Sequence, residues 1–189
     1  MTAPSAAAVA RRLADELEAE GLPYAVGGAL ALGVWGVPRG TVDVDLDLFL
    51  DEAELPRGFA AIRRAGCEID EASAIASACG RGDFRAFFEG MRVDVFVPCI
   101  PFYDAVRRRI RAAPLEGRLA WFLAPEDLAV FKMLFFRTKD ILDLERLVAV
   151  SGSEIDRALV RASLVDIVGD EDARVRRWDA LVVAAASRP

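Results

Sequence analysis

The stretch that decides the fold is Tyr24-Ala-Val-Gly-Gly-Ala-Leu-Ala-Leu-Gly-Val-Trp-Gly-Val-Pro-Arg-Gly-Thr-Val-Asp-Val-Asp-Leu-Asp-Leu48. It starts as a short apolar strand, Tyr24 to Val26, followed by Gly27-Gly28 at the opening of an apolar helix that runs from Ala29 to Trp35. Gly36-Val37-Pro38 stops that helix. Val42, Val44, Leu46 and Leu48 then alternate with Asp43, Asp45, Asp47 and Phe49, the period-two pattern of a strand. Paired glycines at a helix start suit a phosphate, because backbone N–H groups and the helix dipole both favour anionic charge there. Alternate carboxylates on a strand emerge on one face, with backbones ~7 Å apart for Asp43 and Asp45, so they can share a divalent cation. Phosphate cradle and metal-type carboxylates in one unit point to nucleotide chemistry.

Taken alone, a D-x-D-x-D strand reads more simply as the solvent-facing strand of an acidic protein. A second segment changes the weighing. Phe84 to Val97 has two β-prone runs separated by Glu89-Gly90, as expected of a hairpin. Within it, Arg92-Val-Asp-Val-Phe-Val97 places Asp94 between apolar neighbours in mid-strand, where charge is depleted unless the face is wet or occupied. Pairing of this strand beside the Asp43 strand would make Asp43, Asp45 and Asp94 a three-carboxylate metal site. Three such carboxylates repel by about 1 kcal/mol per pair in water, a penalty that a bound cation removes.

Bulk properties bound the classes available. At 189 residues the chain fits one domain, or a small domain with a helical appendage. An apolar content of 54% with 29% charged residues is that of a globular protein. No run is apolar enough to span a bilayer, and Met1 to Ala10 lacks the basic-then-apolar order of a secretory signal. Cys67, Cys79 and Cys99 have no CxxC spacing and read as reduced, mostly buried thiols of a cytoplasmic protein. The sequence contains no histidine, which excludes Ser-His-Asp and Cys-His catalysis and His-ligated zinc. A net charge of −6 disfavours polynucleotide binding by the molecule as a whole.

Ser5 is suited to cap a helix through about Glu20 with Val9, Leu13 and Leu17 on one stripe. Ala60 to Ala65 ends another helix, and Cys67 to Ile69 suggests a short strand. A basic helix over Phe102–Arg111 precedes a strand near Arg118–Leu123. Beyond Pro125 the pattern is helical throughout: 126–136, 139–150, 154–168 and 170–186. The expected class is therefore α+β, a mixed portion over residues 1–123 followed by a helical bundle over 124–189.

These residues resemble the nucleotidyltransferase-fold superfamily, whose pattern is a Gly-Gly or Gly-Ser pair, then D-x-D, then a third acid on a later strand. Gly27-Gly28, Asp43/Asp45 and Asp94 match it. The fuller set Gly27, Gly28, Ala29, Leu30, Ala31, Gly36, Arg39, Thr41, Asp43 and Asp45 is similar to minimal and AbiEii-type bacterial nucleotidyltransferases. So is Pro125-Glu-Asp-Leu-Ala-Val-Phe-Lys-Met-Leu-Phe-Phe-Arg-Thr-Lys-Asp-Ile-Leu-Asp-Leu144. Residues 150–189 match no pattern. The resemblance implies a nucleotidyltransferase-like mixed sheet flanked by helices and transfer of a nucleoside monophosphate from an NTP, releasing pyrophosphate. It implies Mg2+, in a one- or two-metal site where Mn2+ can substitute, held by Asp43, Asp45 and Asp94, with Asp94 also a candidate general base. Arg39-Gly-Thr41-Val-Asp43 favours the Asp43/Asp45 register and leaves Asp47 a spectator.

All but two of the 24 basic side chains are arginine, and both lysines, Lys132 and Lys139, fall in the second motif. Lys132 is the candidate triphosphate contact, against the simpler reading of an ordinary helix lysine; Arg39 is a second phosphate candidate, against a pairing with a nearby acid. Asp140 and Asp143 suit the start of a helix, and the AbiEii-type resemblance keeps them as secondary site candidates. Glu126 and Asp127 read as first-turn acids, Phe131, Phe135 and Phe136 as core, and Trp35, Trp121 and Trp178 as structural. Arg107, Arg108, Arg109 and Arg111 form a solvated face or an RNA-binding surface. The acceptor stays open among tRNA, protein and a small-molecule hydroxyl. A toxin or defence enzyme with a cognate antitoxin, an antibiotic nucleotidyltransferase of the aminoglycoside or lincosamide kind, and a non-catalytic nucleotide-binding module are the competing functions.

Overall fold

The computed structural model describes residues 4–186 apart from 152 and 153. The chain divides into two compact units, one of residues 1–30 and 40–123 and one of residues 31–39 and 124–189. Residues 31–39, the second part of the glycine-initiated helix and the loop after it, group with the C-terminal helices rather than with the N-terminal portion.

In the first unit, α1 (Ala6–Ala19) is capped by the Ser5 hydroxyl, which accepts a bond from Ala8 N at 3.1 Å. Along the chain there follow β1 (Tyr24–Val26), α2 (Gly28–Val34, of which residues 31–34 belong to the second unit), β2 (Asp43–Leu48), α3 (Leu55–Arg64), α4 (Glu71–Arg81), β3 (Asp83–Phe88), β4 (Met91–Phe96), α5 (Phe102–Arg109), β5 (Arg111–Leu115) and β6 (Arg118–Phe122). The six strands form one sheet in the order β3-β4-β2-β1-β6-β5. It is mixed: β2 runs parallel to β4 and β1 parallel to β6, while β1/β2, β3/β4 and β5/β6 are antiparallel.

The alternation in β2 sets which face is core. Val44, Leu46 and Leu48 are fully buried, as are Val93 and Val95 of β4, and Leu13 and Leu17 of α1. Each such side chain contributes roughly 1.5–3 kcal/mol by leaving water. Phe59 of α3 meets Phe84 of β3 edge-on at 5.2 Å. The opposite sheet face carries the aspartates. The two antiparallel hairpins turn at Glu89-Gly90 and Glu116-Gly117, all four residues with positive φ, the geometry that matches strand twist.

The second unit contains α6 (Pro125–Phe135), α7 (Thr138–Ser151), α8 (Arg157–Val168) and α9 (Ala173–Ala186). Its core is Leu128, Ala129, Met133, Leu144, Leu147, Val160, Leu164, Val175 and Trp178. The Trp178 indole N–H donates to the Arg157 carbonyl at 3.3 Å. Glu126 and Asp127 stand in the first turn of α6, as expected, and both are buried; Glu126 accepts from Asp156 N at 3.2 Å.

Several sequence expectations need correction. Helix α4 has too few large apolar residues to register as an amphipathic stripe, although Asp70 caps it and Gly82, left-handed, ends it. Strand β5, with Pro114, has a poor strand sequence; as an edge strand it is held by its partner β6. The basic helix therefore ends at Arg109. Cys67–Ile69 contributes a single bridge, Glu68 to Phe87. Phe135 and Phe136 are 46% and 38% exposed, not core, and their rings lie beneath Arg137 and Arg174 respectively. Trp121 is exposed as well, and only Cys67 of the three free thiols is buried. Among the described residues, no helix is long and apolar enough to cross a membrane.

Candidate active site

The first unit gathers the glycine pair and the aspartates. β1 ends at Val26, and Gly27 N donates to the carbonyl of Asp45 at 3.0 Å, so the turn is tied to β2 by its backbone. Gly28 has φ +55°, and a Cβ placed on it would lie 1.7 Å from Oδ2 of Asp45. A Cβ on Gly27 would lie 3.1 Å from Oδ2 of Asp47. At position 28 only glycine allows this turn to press against the Asp45 carboxylate, while a β-carbon at 27 would crowd Asp47. Asp47 is 3% exposed; Asp43 and Asp45 are half-buried. Thr41 hydrogen-bonds the Asp43 carboxylate through its hydroxyl and also reaches the Asp43 carbonyl at 3.1 Å.

The pairing of β2 with β4 places Asp94 directly opposite Asp45 and Arg92 directly opposite Asp43. Because the strands are parallel and in register, all four side chains rise from one face. Arg92 Nη2 lies 2.8 Å from Asp43 Oδ2, and its Nε 3.0 Å from Asp94 Oδ2. On β3, Arg85 stands opposite Asp94 and places Nε 3.3 Å from Asp94 Oδ1. The sequence pattern alone gives Arg92 no role. The signal was present: two residues before Asp94 on a strand is the same face.

Hard carboxylate oxygens are the donors that Mg2+ takes, and Mg2+ is usually held by one or two carboxylates with substrate phosphates supplying the rest. The donor set of Asp43, Asp45 and Asp94 fits that chemistry. A closed protein cage is not what is built: among the described residues, no group of three or more His, Cys, Asp or Glu is arranged to hold a metal ion. Arg92 lies between two of the carboxylates instead.

Arg39, Lys132, Asp140 and Asp143 belong to the second unit, where they form a network of their own. Lys132 is 5% exposed; its ammonium lies 2.8 Å from Asp143 Oδ2 and 3.5 Å from Asp140 Oδ1. Arg39 Nε contacts Asp143 Oδ1 at 3.2 Å, and Arg137 Nε contacts Asp140 Oδ2 at 2.6 Å. Asp140 also accepts from Arg137 N at the start of α7, the role expected of an acid there. Burial pushes the Asp140 carboxyl upward, but the Arg137 hydrogen bond and the charges of Lys132 and Arg137 outweigh it and hold it below the usual carboxylate range. Buried charges persist when paired, and Lys132, Asp140 and Asp143, the three buried here, each are.

In fold, a six-stranded mixed sheet flanked by helices, the chain is similar to solved nucleotidyltransferase-like proteins. The solved structures similar to this chain include the antibiotic-resistance factor ANT(2'')-Ia in solution, at 15% identity and TM-score 0.53, covering 96% of this chain and 91% of that one. The same factor in complex with adenylyl-2''-tobramycin matches at 15% identity and TM-score 0.53, covering 96% and 97%. An antigenic nucleotidyltransferase-like protein from Paracoccidioides brasiliensis matches at 16% identity and TM-score 0.46, covering 92% and 93%. No protein-family model and no curated protein sequence matches the chain.

Proposed function

We propose that this protein transfers a nucleoside monophosphate from an NTP to an acceptor hydroxyl, with release of pyrophosphate. The observation that carries the reading is the contact of the Gly27-Gly28 turn with Asp45 while Asp94 stands opposite Asp45 on the next strand. The backbone of the turn binds the triphosphate, since amide N–H groups at a helix start favour anions. Asp43 and Asp45 hold Mg2+, with Asp94 beside them. When bound, the metal neutralises charge developing on the transferring phosphoryl group and the leaving pyrophosphate. The Asp94 carboxylate takes the proton of the acceptor hydroxyl, a task that needs no histidine.

A small cationic acceptor is the second, finer reading. Its support is the net charge of −6, which attracts polyamines and repels polynucleotides, together with the adenylylated tobramycin named for one structural neighbour. Incubation with Mg2+, each α-labelled NTP and separate acceptor pools tests both: aminoglycosides and lincosamides, total tRNA, and cell protein. Label in the small-molecule pool supports the finer reading, and label in tRNA or protein replaces it with a polymer acceptor. No label in any pool, with no NTP binding by calorimetry, leaves a non-catalytic module and refutes the proposal. Asp45→Asn is expected to remove all labelling while circular dichroism shows the fold retained.

A further inference from the structure

We propose that Arg92 is a positioning residue that holds the cation's place between Asp43 and Asp94 and is displaced from it by the divalent metal. The inference rests on the metal reading of these carboxylates and concerns a residue that reading does not use.

The strand register dictates the arrangement. Arg92 is level with Asp43 across the β2/β4 pair and two residues before Asp94 on its own strand. Its planar fork can therefore reach both acids at once, and it does, at 2.8 Å and 3.0 Å. A guanidinium satisfies two carboxylates much as a metal would, and keeps the metal-free face from carrying three uncompensated negative charges.

The bridge is also built to open. The Arg92 side chain is 44% exposed, against 26% for Asp43 and 19% for Asp94. Its head can leave towards solvent without unpacking the core. Ion pairs this exposed change stability by no more than a factor of about five, so a divalent ion can outcompete them. Arg85 keeps Asp94 oriented meanwhile, because it contacts Oδ1 and leaves Oδ2 to Arg92. Once released, Arg92 remains beside the metal with a free fork suited to a phosphate oxygen. Nucleotide then adds to the displacement, since its triphosphate offers the arginine a new partner.

The test is Mn2+ binding to the full chain without nucleotide, read from the loss of the free-ion EPR signal. Arg92→Gln is expected to bind Mn2+ about tenfold more tightly than wild type, and Arg92→Lys, which retains charge but not the fork, to fall between them. ATP should tighten Mn2+ binding in the wild type and do so less in Arg92→Gln. If Arg92→Gln does not fold by circular dichroism, the lysine variant decides alone. Unchanged or weaker Mn2+ binding in these variants, with wild-type binding that Asp45→Ala abolishes, overturns the role of Arg92 and leaves the metal site standing. No Mn2+ binding to the wild type or to either arginine variant overturns both.

Discussion

Oδ2 of Asp45 occupies the space that a β-carbon on Gly28 would need, 1.7 Å away, while Gly28 itself sits at φ +55°. The turn and the carboxylate are thus packed in direct contact, with no room between them for a side chain. A side chain at position 28 meets two penalties. It must adopt left-handed backbone, at roughly 1–2 kcal/mol, and it must push Asp45 off its position. Gly28→Ala is expected to lower unfolding stability by about 2 kcal/mol and to abolish measurable NTP binding. Calorimetric titration with ATP and Mg2+ checks the second; a variant that binds like wild type would separate the turn from the ligand.

Lys132 makes a different prediction from the one its chemistry first suggests. Its ammonium is buried and committed to Asp140 and Asp143. Removing one partner of a buried ion pair strands the others and costs about 3–5 kcal/mol. Lys132→Met is expected near the low end of that range, because Arg39 still pairs with Asp143 and Arg137 with Asp140. Thermal unfolding followed by circular dichroism measures it. A melting temperature equal to that of the wild type would show that the ammonium is not needed to hold this network.

Acid should act through the same network. The folded-state pKa of Asp140 is depressed, so its carboxylate stabilises the protein above its ordinary pKa of about 3.9, and that contribution is lost as pH falls through the lower, folded value. The stability difference between wild type and Asp140→Asn is expected to be constant above about pH 5 and to shrink progressively below about pH 4. Urea unfolding at a series of pH values reads this directly. A difference that grows on acidification would reverse the assignment.

The three thiols should divide two to one. Burial pushes the Cys67 thiol up to about 11, whereas Cys79 and Cys99 are exposed, with pKa values also raised, chiefly by desolvation. Thiolate is the reactive form and needs access. In native protein at pH 8 a disulfide reagent is expected to titrate Cys79 and Cys99, and Cys67 only after unfolding. Peptide mapping of the modified sites identifies which residues reacted; early modification of Cys67 would contradict its burial.

The local patterns were legible where one residue type served one purpose. The period-two run from Asp43 to Leu48, the Glu89-Gly90 turn and the Ser5 cap each appear where their chemistry placed them. Helix α4 was missed because Ala and Ser carry little periodicity, although its Asp70 and Gly82 caps were readable. β5 was missed because its strand character comes from β6, not from Arg-Ala-Ala-Pro-Leu itself. Phe135 and Phe136 look like core in any hydrophobic count, yet they sit at the end of α6 under arginines.

By itself the chain's order of residues determined the aspartate strand, the glycine turn, the helical C-terminal third and the exclusion of histidine chemistry, because these depend on backbone preferences and composition within a few residues. Only the tertiary structure decided that Asp94 faces Asp45, that Arg92 bridges Asp43 and Asp94, and that Lys132 is buried between two aspartates. Those relations depend on which strands pair and in what register, and on which helix faces meet. They are set by the burial of the whole apolar surface at once, which no local window contains.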